Sequence, residues 1–200
     1  MAKQRLKSPR ARLFVALDLP ERVRSGIAAW GGRELRDPAL RPVREESLHV
    51  TLAFLGWKPE KAIGELGEIV RASAGPAPRV QLGEPVQRPE RGRARLFALP
   101  VESAATVALQ AGLEERLVAA RLYEPEKRPF WSHVTVARVR REERGSKRPA
   151  PVKKPPGALP KGLLQPFDGV RLTLYRSELQ PQGAQYTPLA LVELPAGGQQ

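Results

Sequence analysis

The stretch Leu48-His49-Val50-Thr51-Leu52-Ala53-Phe54 has a counterpart later in the chain, Ser132-His133-Val134-Thr135-Val136-Ala137-Arg138. Both copies have strand character, and 133 − 49 gives a separation of 84 residues between their histidines. An earlier strand and proline are also repeated, as Arg12-Leu13-Phe14-Val15-Ala16-Leu17-Asp18-Leu19-Pro20 and Arg95-Leu96-Phe97-Ala98-Leu99-Pro100, with 95 − 12 giving an offset of 83. Offsets that agree this closely predict two structurally similar halves.

Helical patterns lie between the strands of each half, so the chain is predicted to be α+β. Apolar residues recur at helical spacing as Val23, Ile27 and Trp30, and again as Leu109, Leu113 and Leu117. Alternating apolar and polar residues in the strands, with hairpin-length spacing of the later ones, favour antiparallel sheets. We expect a bilobal fold in which a pseudo-twofold axis relates the halves, sheets flank a central cleft, and helices lie outside.

The predicted organisation is one bilobal domain over residues 12–195, with a first half of about 12–92 and a second of about 93–195. Residues 1–11 form a basic tail, which is predicted to be disordered. Residues 139–162 are rich in Arg, Lys and Pro and are predicted to form a mobile basic loop. This loop either guides an RNA backbone or is a solvated insertion, and both interpretations stay open.

The charge balance favours a partner rich in phosphate. The chain has 34 Lys and Arg against 21 Asp and Glu, a formal net charge of +13, and it contains no cysteine. The absence of cysteine excludes disulfides, thiolate nucleophiles and zinc fingers. The basic start followed by a short apolar run argues against a signal peptide or a membrane span, so a cytoplasmic location is expected.

The chain has only two histidines, and both stand in the sequence His-Val-Thr. Side chains two apart in a strand share a face, so His49 and Thr51 form one polar pair and His133 and Thr135 form another. The intervening residues face the core, namely Val50, Leu52, Val134 and Val136. Across a cleft between the two halves, two imidazoles and two hydroxyls would converge on one small ligand, and a phosphate fits.

Paired imidazoles can cleave a phosphodiester by acid and base catalysis without a metal or a covalent intermediate. One neutral histidine takes a proton from water while the other, protonated, gives a proton to the leaving oxygen. The hydroxyls of Thr51 and Thr135 would donate to the nonbridging phosphate oxygens, and Arg138 would offset the developing charge. Strict alternation places Arg138 on the face opposite His133, so this role requires a bulge or the end of the strand. Histidines 84 residues apart with no cysteine do not have metal-ligand spacing, and no metal is predicted.

These residues resemble the bacterial and archaeal RNA 2′,3′-cyclic phosphodiesterases, long called 2′-5′ RNA ligases, of the two-histidine (2H) phosphoesterase superfamily. The motifs that carry the resemblance are Arg12 to Leu17, His49-Val50-Thr51-Leu52 with Phe54-Leu55-Gly56, Pro129-Phe130 ahead of His133-Val134-Thr135-Val136-Ala137-Arg138, and Leu174-Tyr175-Arg176-Ser177. Ser132 stands where the family often has proline.

The resemblance implies hydrolysis of an RNA 2′,3′-cyclic phosphate to a 2′-phosphate, with His49 as proton donor, His133 as proton acceptor and no cofactor. It also implies 2′-5′ joining of tRNA halves without ATP. RNA is the expected partner, and no obligate protein partner is inferred.

Two alternatives stay open: an RNA-end binding protein without activity, and the same chemistry on 2′-5′ oligonucleotides or a nucleotide cyclic phosphate. Phe54, Phe130, Trp131 and Tyr175 are candidates for stacking the terminal base, and at least one is expected to line the cleft.

Overall fold

The computed structural model describes residues 9–180 and 183–195. Within these ranges the strands are β1 (Arg10–Asp18), β2 (Leu40–Pro42), β3 (His49–Pro59), β4 (Arg79–Leu82), β5 (Val86–Arg88), β6 (Leu96–Glu102), β7 (His133–Val139), β8 (Phe167–Asp168), β9 (Arg171–Gln180) and β10 (Gly183–Glu193). The α-helices are α1 (Glu21–Glu34), α2 (Ile63–Ala72) and α3 (Ala104–Ala119). This mixture of helices with strands that pair antiparallel confirms the α+β prediction.

The strands form two wings that meet at a single residue pair. One wing has the order β10-β9-β1-β3, the other has the order β7-β6-β4-β8, and β2 and β5 add to β7 and β6. Only Val50 and Val134 pair between β3 and β7, and they are the central residues of the two His-Val-Thr motifs. An antiparallel pairing between equivalent residues of two repeats is what a local twofold axis requires. The strands separate on either side of this pair, and the cleft lies there.

The strands of each wing come from both halves of the sequence. β9 and β10 belong to the predicted second half, yet β9 pairs with β1 from residue 13 to residue 18 of that strand. In the same way β4 and β5, from the predicted first half, pair with β6. The division at residues 92 and 93 therefore separates the repeats but does not separate the wings. Pairing between remote strands carries no local sequence signal that would have shown the exchange.

The helices pack on the side of the sheet away from the cleft. In α1 the predicted apolar residues Val23, Ile27 and Trp30 are buried, and Ile27 lines one cavity together with Val136 of β7. The second helix packs against β9 and β10 and against α3, whose Leu113 and Leu117 are fully buried. Burial of these stripes fixes β3 and β7 from behind.

The basic loop predicted as mobile over residues 139–162 is anchored through its backbone. The Asp37 carboxylate accepts hydrogen bonds from the backbone N–H groups of Lys153 and Lys154, both at 2.8 Å. The Trp30 indole donates to the Ala158 carbonyl at 3.0 Å, and Leu159 is 5% exposed. Acceptors far away in sequence satisfy these backbone groups, which composition alone does not reveal.

The amino-terminal boundary also differs from the prediction. Strand β1 begins at Arg10, and Ala11 is buried, so these two residues are part of the sheet and not of a disordered tail. Residues 1–8 of the predicted tail lie outside the described residues. No helix in the described part of the chain has the length and apolar character needed to cross a membrane.

Candidate active site

The two His-Val-Thr strands line one open cleft of about 420 Å³. His49, Thr51, His133, Thr135 and Arg138 all lie in its lining, so the structure brings together every polar side chain that the sequence placed at the site. The intervening Val50, Leu52, Val134 and Val136 are buried behind it, at 3% exposure or less. The strand alternation predicted from the motif is confirmed.

A bulge in each strand returns the residue five positions after the histidine to the cleft. In β3, Ala53 pairs with Val15 and Thr51 with Ala16, which leaves Leu52 as the extra residue. In β7, Ala137 pairs with Phe97 and Thr135 with Ala98, which leaves Val136 as the extra residue. An extra residue inverts the alternation that follows it. Arg138 therefore shares the face of His133, and Phe54 occupies the equivalent position after His49.

The imidazole of His133 is held through Nδ1 by the carbonyl two residues before it, at 2.7 Å from the Trp131 oxygen. A carbonyl only accepts, so Nδ1 of His133 carries a proton and Nε2 is left for chemistry. A backbone hydrogen bond with Ser47, which is also two residues earlier, favours the protonated form of His49. In His49, Nε2 lies 3.1 Å from the Thr51 hydroxyl.

Burial lowers the pKa of both histidines. For His49 the pKa falls from 6.5 to about 4, mainly through desolvation and further through the charges of His133 and Arg138, while the Asp18 carboxylate opposes the change. For His133 desolvation is again the largest cause of the lowered pKa, and Arg88 and Arg138 contribute. Both rings are therefore neutral near pH 7 when no anion is in the cleft.

Stacking partners hold the ring of His49 on one side of the site. The ring stacks on Phe14 at a centroid distance of 5.0 Å, and Tyr186 meets it edge-on at 5.5 Å. Behind this stack, the buried carboxylate of Asp18 accepts hydrogen bonds from Arg171, Thr173 and Tyr175, the last at 2.9 Å.

A three-layer stack holds the ring of His133 on the other side. The imidazole lies parallel to the Trp131 ring at 4.0 Å, and the Arg88 guanidinium lies over the other face of that ring at 4.1 Å. A cation over an aromatic face is electrostatically favourable. Trp131 therefore contacts both the imidazole of His133 and the guanidinium of Arg88.

Among the predicted base-stacking residues, Phe54 lines the cleft, so the expectation of at least one is confirmed. Trp131 is stacked on His133, and Tyr175 is bound to Asp18. Sequence reasoning missed several other lining residues, namely Arg12, Phe14, Arg41, Arg44, Ser177 and Tyr186. Three of them had a signal in the sequence. Arg12 and Phe14 belong to the repeated strand that precedes each motif, and Ser177 ends the Leu174-Tyr175-Arg176-Ser177 motif.

Two opposed His-x-Thr strands on a divided antiparallel sheet are the arrangement of the two-histidine phosphoesterases. A sequence model of the 2′-5′ RNA ligase superfamily matches residues 19–159, and the chain belongs to this superfamily. The resemblance inferred from the motifs is thereby confirmed.

Similar curated proteins carry the same activity in their names. The RNA 2′,3′-cyclic phosphodiesterase of Thermus thermophilus is 33% identical over 186 residues, which covers 89% of this chain and 87% of that protein. The Escherichia coli protein of the same name is 31% identical over 185 residues, with coverage of 89% and 93%.

Solved structures agree in fold. A crystal structure of a Thermus thermophilus protein matches with a TM-score of 0.73 at 30% identity, covering 92% of this chain and 98% of that one. Escherichia coli LigT in complex with 3′-AMP matches with a TM-score of 0.71 at 28% identity, with coverage of 93% and 99%.

Proposed function

We propose that this chain hydrolyses the terminal 2′,3′-cyclic phosphate of RNA to a 2′-phosphate. The observation that carries the proposal is the pair of imidazoles that line one cleft together with Arg138, with His133 fixed at Nδ1 by the Trp131 carbonyl. The names of the relatives support RNA as the substrate class.

In the proposed reaction His133 is the base and His49 is the acid. His133 Nε2 accepts a proton from water as the water oxygen bonds to phosphorus. The bond between phosphorus and the 3′ oxygen then breaks, and His49 Nε2 gives its proton to that oxygen, which leaves a 3′ hydroxyl and a 2′-phosphate. Exchange of protons with solvent restores both rings.

The low pKa of His49 in the free cleft has to rise before this ring can act as an acid. An anionic phosphate between the strands supplies the negative charge that favours imidazolium, and the Asp18 carboxylate already acts in that direction. Substrate binding therefore charges the acid, whereas Arg88 beside Trp131 opposes protonation of the base.

The remaining polar residues bind the phosphate. Thr51 and Thr135 donate hydrogen bonds to its nonbridging oxygens, and Arg138 stabilises the charge that develops on them in the transition state. If a ribose hydroxyl replaces water as the attacking group, the same steps join two RNA ends through a 2′-5′ bond. The two histidines keep the same roles, and the 3′ oxygen is again the leaving group.

The test is product analysis of an oligoribonucleotide that ends in a 2′,3′-cyclic phosphate, incubated with the protein in the presence of a chelator. We expect the parent protein to form only the 2′-phosphate, and we expect His49→Ala and His133→Ala each to reduce the rate by about 10²–10⁴. Arg116→Ala, on the exposed side of α3, is the matched control.

Turnover by either histidine variant at the parental rate would contradict the mechanism. Tight binding by the parent without any product would instead identify an RNA-end binding protein.

A further inference from the structure

A row of basic and aromatic side chains leads out of the cleft along β1 and β3. Phe54 and Arg12 line the cleft, and Trp57 and Arg10 follow them toward the far ends of the two strands. We refer to Arg10, Arg12, Phe54 and Trp57 as the β1–β3 track. The proposed hydrolysis uses only the cleft and assigns no role to Trp57 or Arg10.

Strand register places Trp57 on the same face of the sheet as the cleft. Trp57 pairs directly with Arg12, and side chains of paired residues share a face. Arg12 itself faces the cleft, where its guanidinium donates to the Ser177 hydroxyl at 3.3 Å. The exposed indole therefore continues the surface that begins at the active site.

The aromatic rings of the track are open to solvent, unlike those packed around His49. Phe54 is 41% exposed and Trp57 is 58% exposed. Their pairing partners, Phe14 and Arg12, are two residues apart in β1, which corresponds to about 6.6–6.8 Å along the strand. Two rings at this spacing on an open sheet can each stack one base of a single strand.

Arginines place cationic groups along the track. The Arg12 guanidinium lies 4.7 Å from the centre of the Phe54 ring. Arg10 donates to the Trp57 carbonyl at 2.6 Å and is exposed. Glu60, the residue that follows β3, is bound to Arg176 at 2.8 Å. The track is therefore positive, which complements a phosphate backbone.

We propose that the β1–β3 track binds the nucleotides that precede the terminal nucleotide of a single-stranded RNA. The proposal rests on the proposed function in that the cyclic phosphate occupies the cleft at the 3′ end, so the rest of the strand must leave along one of its sides. Along the track, Trp57 stacks the penultimate base, and Arg10 and Arg12 bind the adjoining phosphates. Arg41 and Arg44 border the cleft elsewhere, but no exposed large aromatic residue accompanies them in the described part of the chain.

The test compares substrates that share one terminal nucleotide with a cyclic phosphate and differ in length, from a mononucleotide to a tetranucleotide. We expect kcat/KM of the parent to increase about fivefold or more from the mononucleotide to the dinucleotide. Trp57→Ala should lose this increase and keep the mononucleotide rate, while Trp57→Phe should retain most of it. An equal loss on all lengths, or no loss on any, would overturn the proposal.

A binding measurement separates this proposal from the proposed function. Fluorescence anisotropy of labelled oligoribonucleotides ending in a 2′-phosphate requires no turnover. Arg10→Ala should reduce the salt slope of the logarithm of the binding constant by about 0.7, the value for one single-strand phosphate, and Arg116→Ala should not. If the salt slope falls in Arg41→Ala and not in Arg10→Ala, the RNA leaves the cleft on the other side, and the proposal for the β1–β3 track is overturned. If length-dependent binding is lost in Trp57→Ala but the parent never turns over, the track stands and the proposed function fails.

Discussion

The two His-Val-Thr strands have the same local structure and different surroundings. Both histidines have a backbone hydrogen bond with the residue two positions earlier, and both strands have a bulge three residues after the histidine. Yet His49 packs on Phe14 with the Asp18 carboxylate nearby, whereas His133 packs on Trp131 with the Arg88 guanidinium on its far side.

This difference indicates how a duplicated motif can perform two tasks. The repeat places two similar nitrogens around one phosphate, but a general acid and a general base need opposite protonation states. Asp18 offsets part of the lowering of the pKa of His49, and Arg88 adds to the lowering of the pKa of His133. These two charges thus favour the acid role for His49 and the base role for His133, the roles implied by the family resemblance.

The largest expected effect comes from exchanging each histidine for glutamine and changing the leaving atom. On the ordinary cyclic phosphate both variants should lose about 10²–10⁴ in rate. On a cyclic substrate with sulfur in place of the 3′ oxygen, the leaving thiolate needs little protonation. His49→Gln should then approach the parental rate, while His133→Gln stays slow. Recovery of His133→Gln in place of His49→Gln would reverse the two assignments.

The next largest effect distinguishes the roles of Arg138 and Phe54, the two residues that the bulges return to the cleft. Arg138→Gln removes a cation from the developing charge and should lower kcat by about 10²–10³. Phe54→Leu removes the ring that is predicted to stack the terminal base and should mainly raise KM. Steady-state kinetics on one dinucleotide substrate, with Arg116→Gln as the control, checks both. If Phe54→Leu lowers kcat as much as Arg138→Gln does, Phe54 and Arg138 both act in the chemical step, and the assignment of Phe54 to substrate binding is wrong.

The repeat could be predicted from sequence because its signals are local, whereas the asymmetry could not. The identical order of residues in the motifs fixes which side chains share a face, and the need for a bulge at Arg138 followed from alternation alone. Asp18 reaches His49 because β1 pairs with β3, and Arg88 of β5 reaches Trp131 because β6 pairs with β7. Both contacts join residues that are remote in the chain. The same reason explains why the anchors of the basic loop could not be predicted, since Asp37, Glu34 and Glu84 are distant from it in sequence.

A smaller effect is expected from Arg88, which does not line the cleft. Arg88→Gln removes a positive charge that disfavours the imidazolium of His133, so the pKa of His133 should rise. The base is active only when neutral, and the acidic limb of the kcat/KM profile should therefore move to higher pH. Arg88→Lys keeps the charge and should keep the limb in place. If both variants lower kcat/KM equally at every pH, Arg88 only supports the packing of Trp131.

The smallest expected effect is on stability. Its dependence on pH shows how strongly each of the two histidine rings is desolvated. The pKa of His49 is about 4 in the folded protein, whereas the ordinary value of 6.5 applies to an unfolded chain. Above pH 6.5 the ring is neutral in both states and contributes nothing. As the pH falls below 6.5, the unfolded chain takes up the proton first, so the free energy of unfolding decreases until about pH 4.

Between pH 7.5 and pH 5 this contribution is at most about 2 kcal/mol. Urea unfolding at the two pH values should therefore give a smaller difference for His49→Gln than for the parent, because the carboxylates titrate equally in both proteins. Inorganic phosphate should also reduce the difference in the parent, since an anion in the cleft favours the imidazolium of His49. If His133→Gln removes more of the pH dependence than His49→Gln does, then His133 is the more strongly desolvated ring. Desolvation and the charges of Asp18 and Arg88 would then both favour His49 as the acid and His133 as the base.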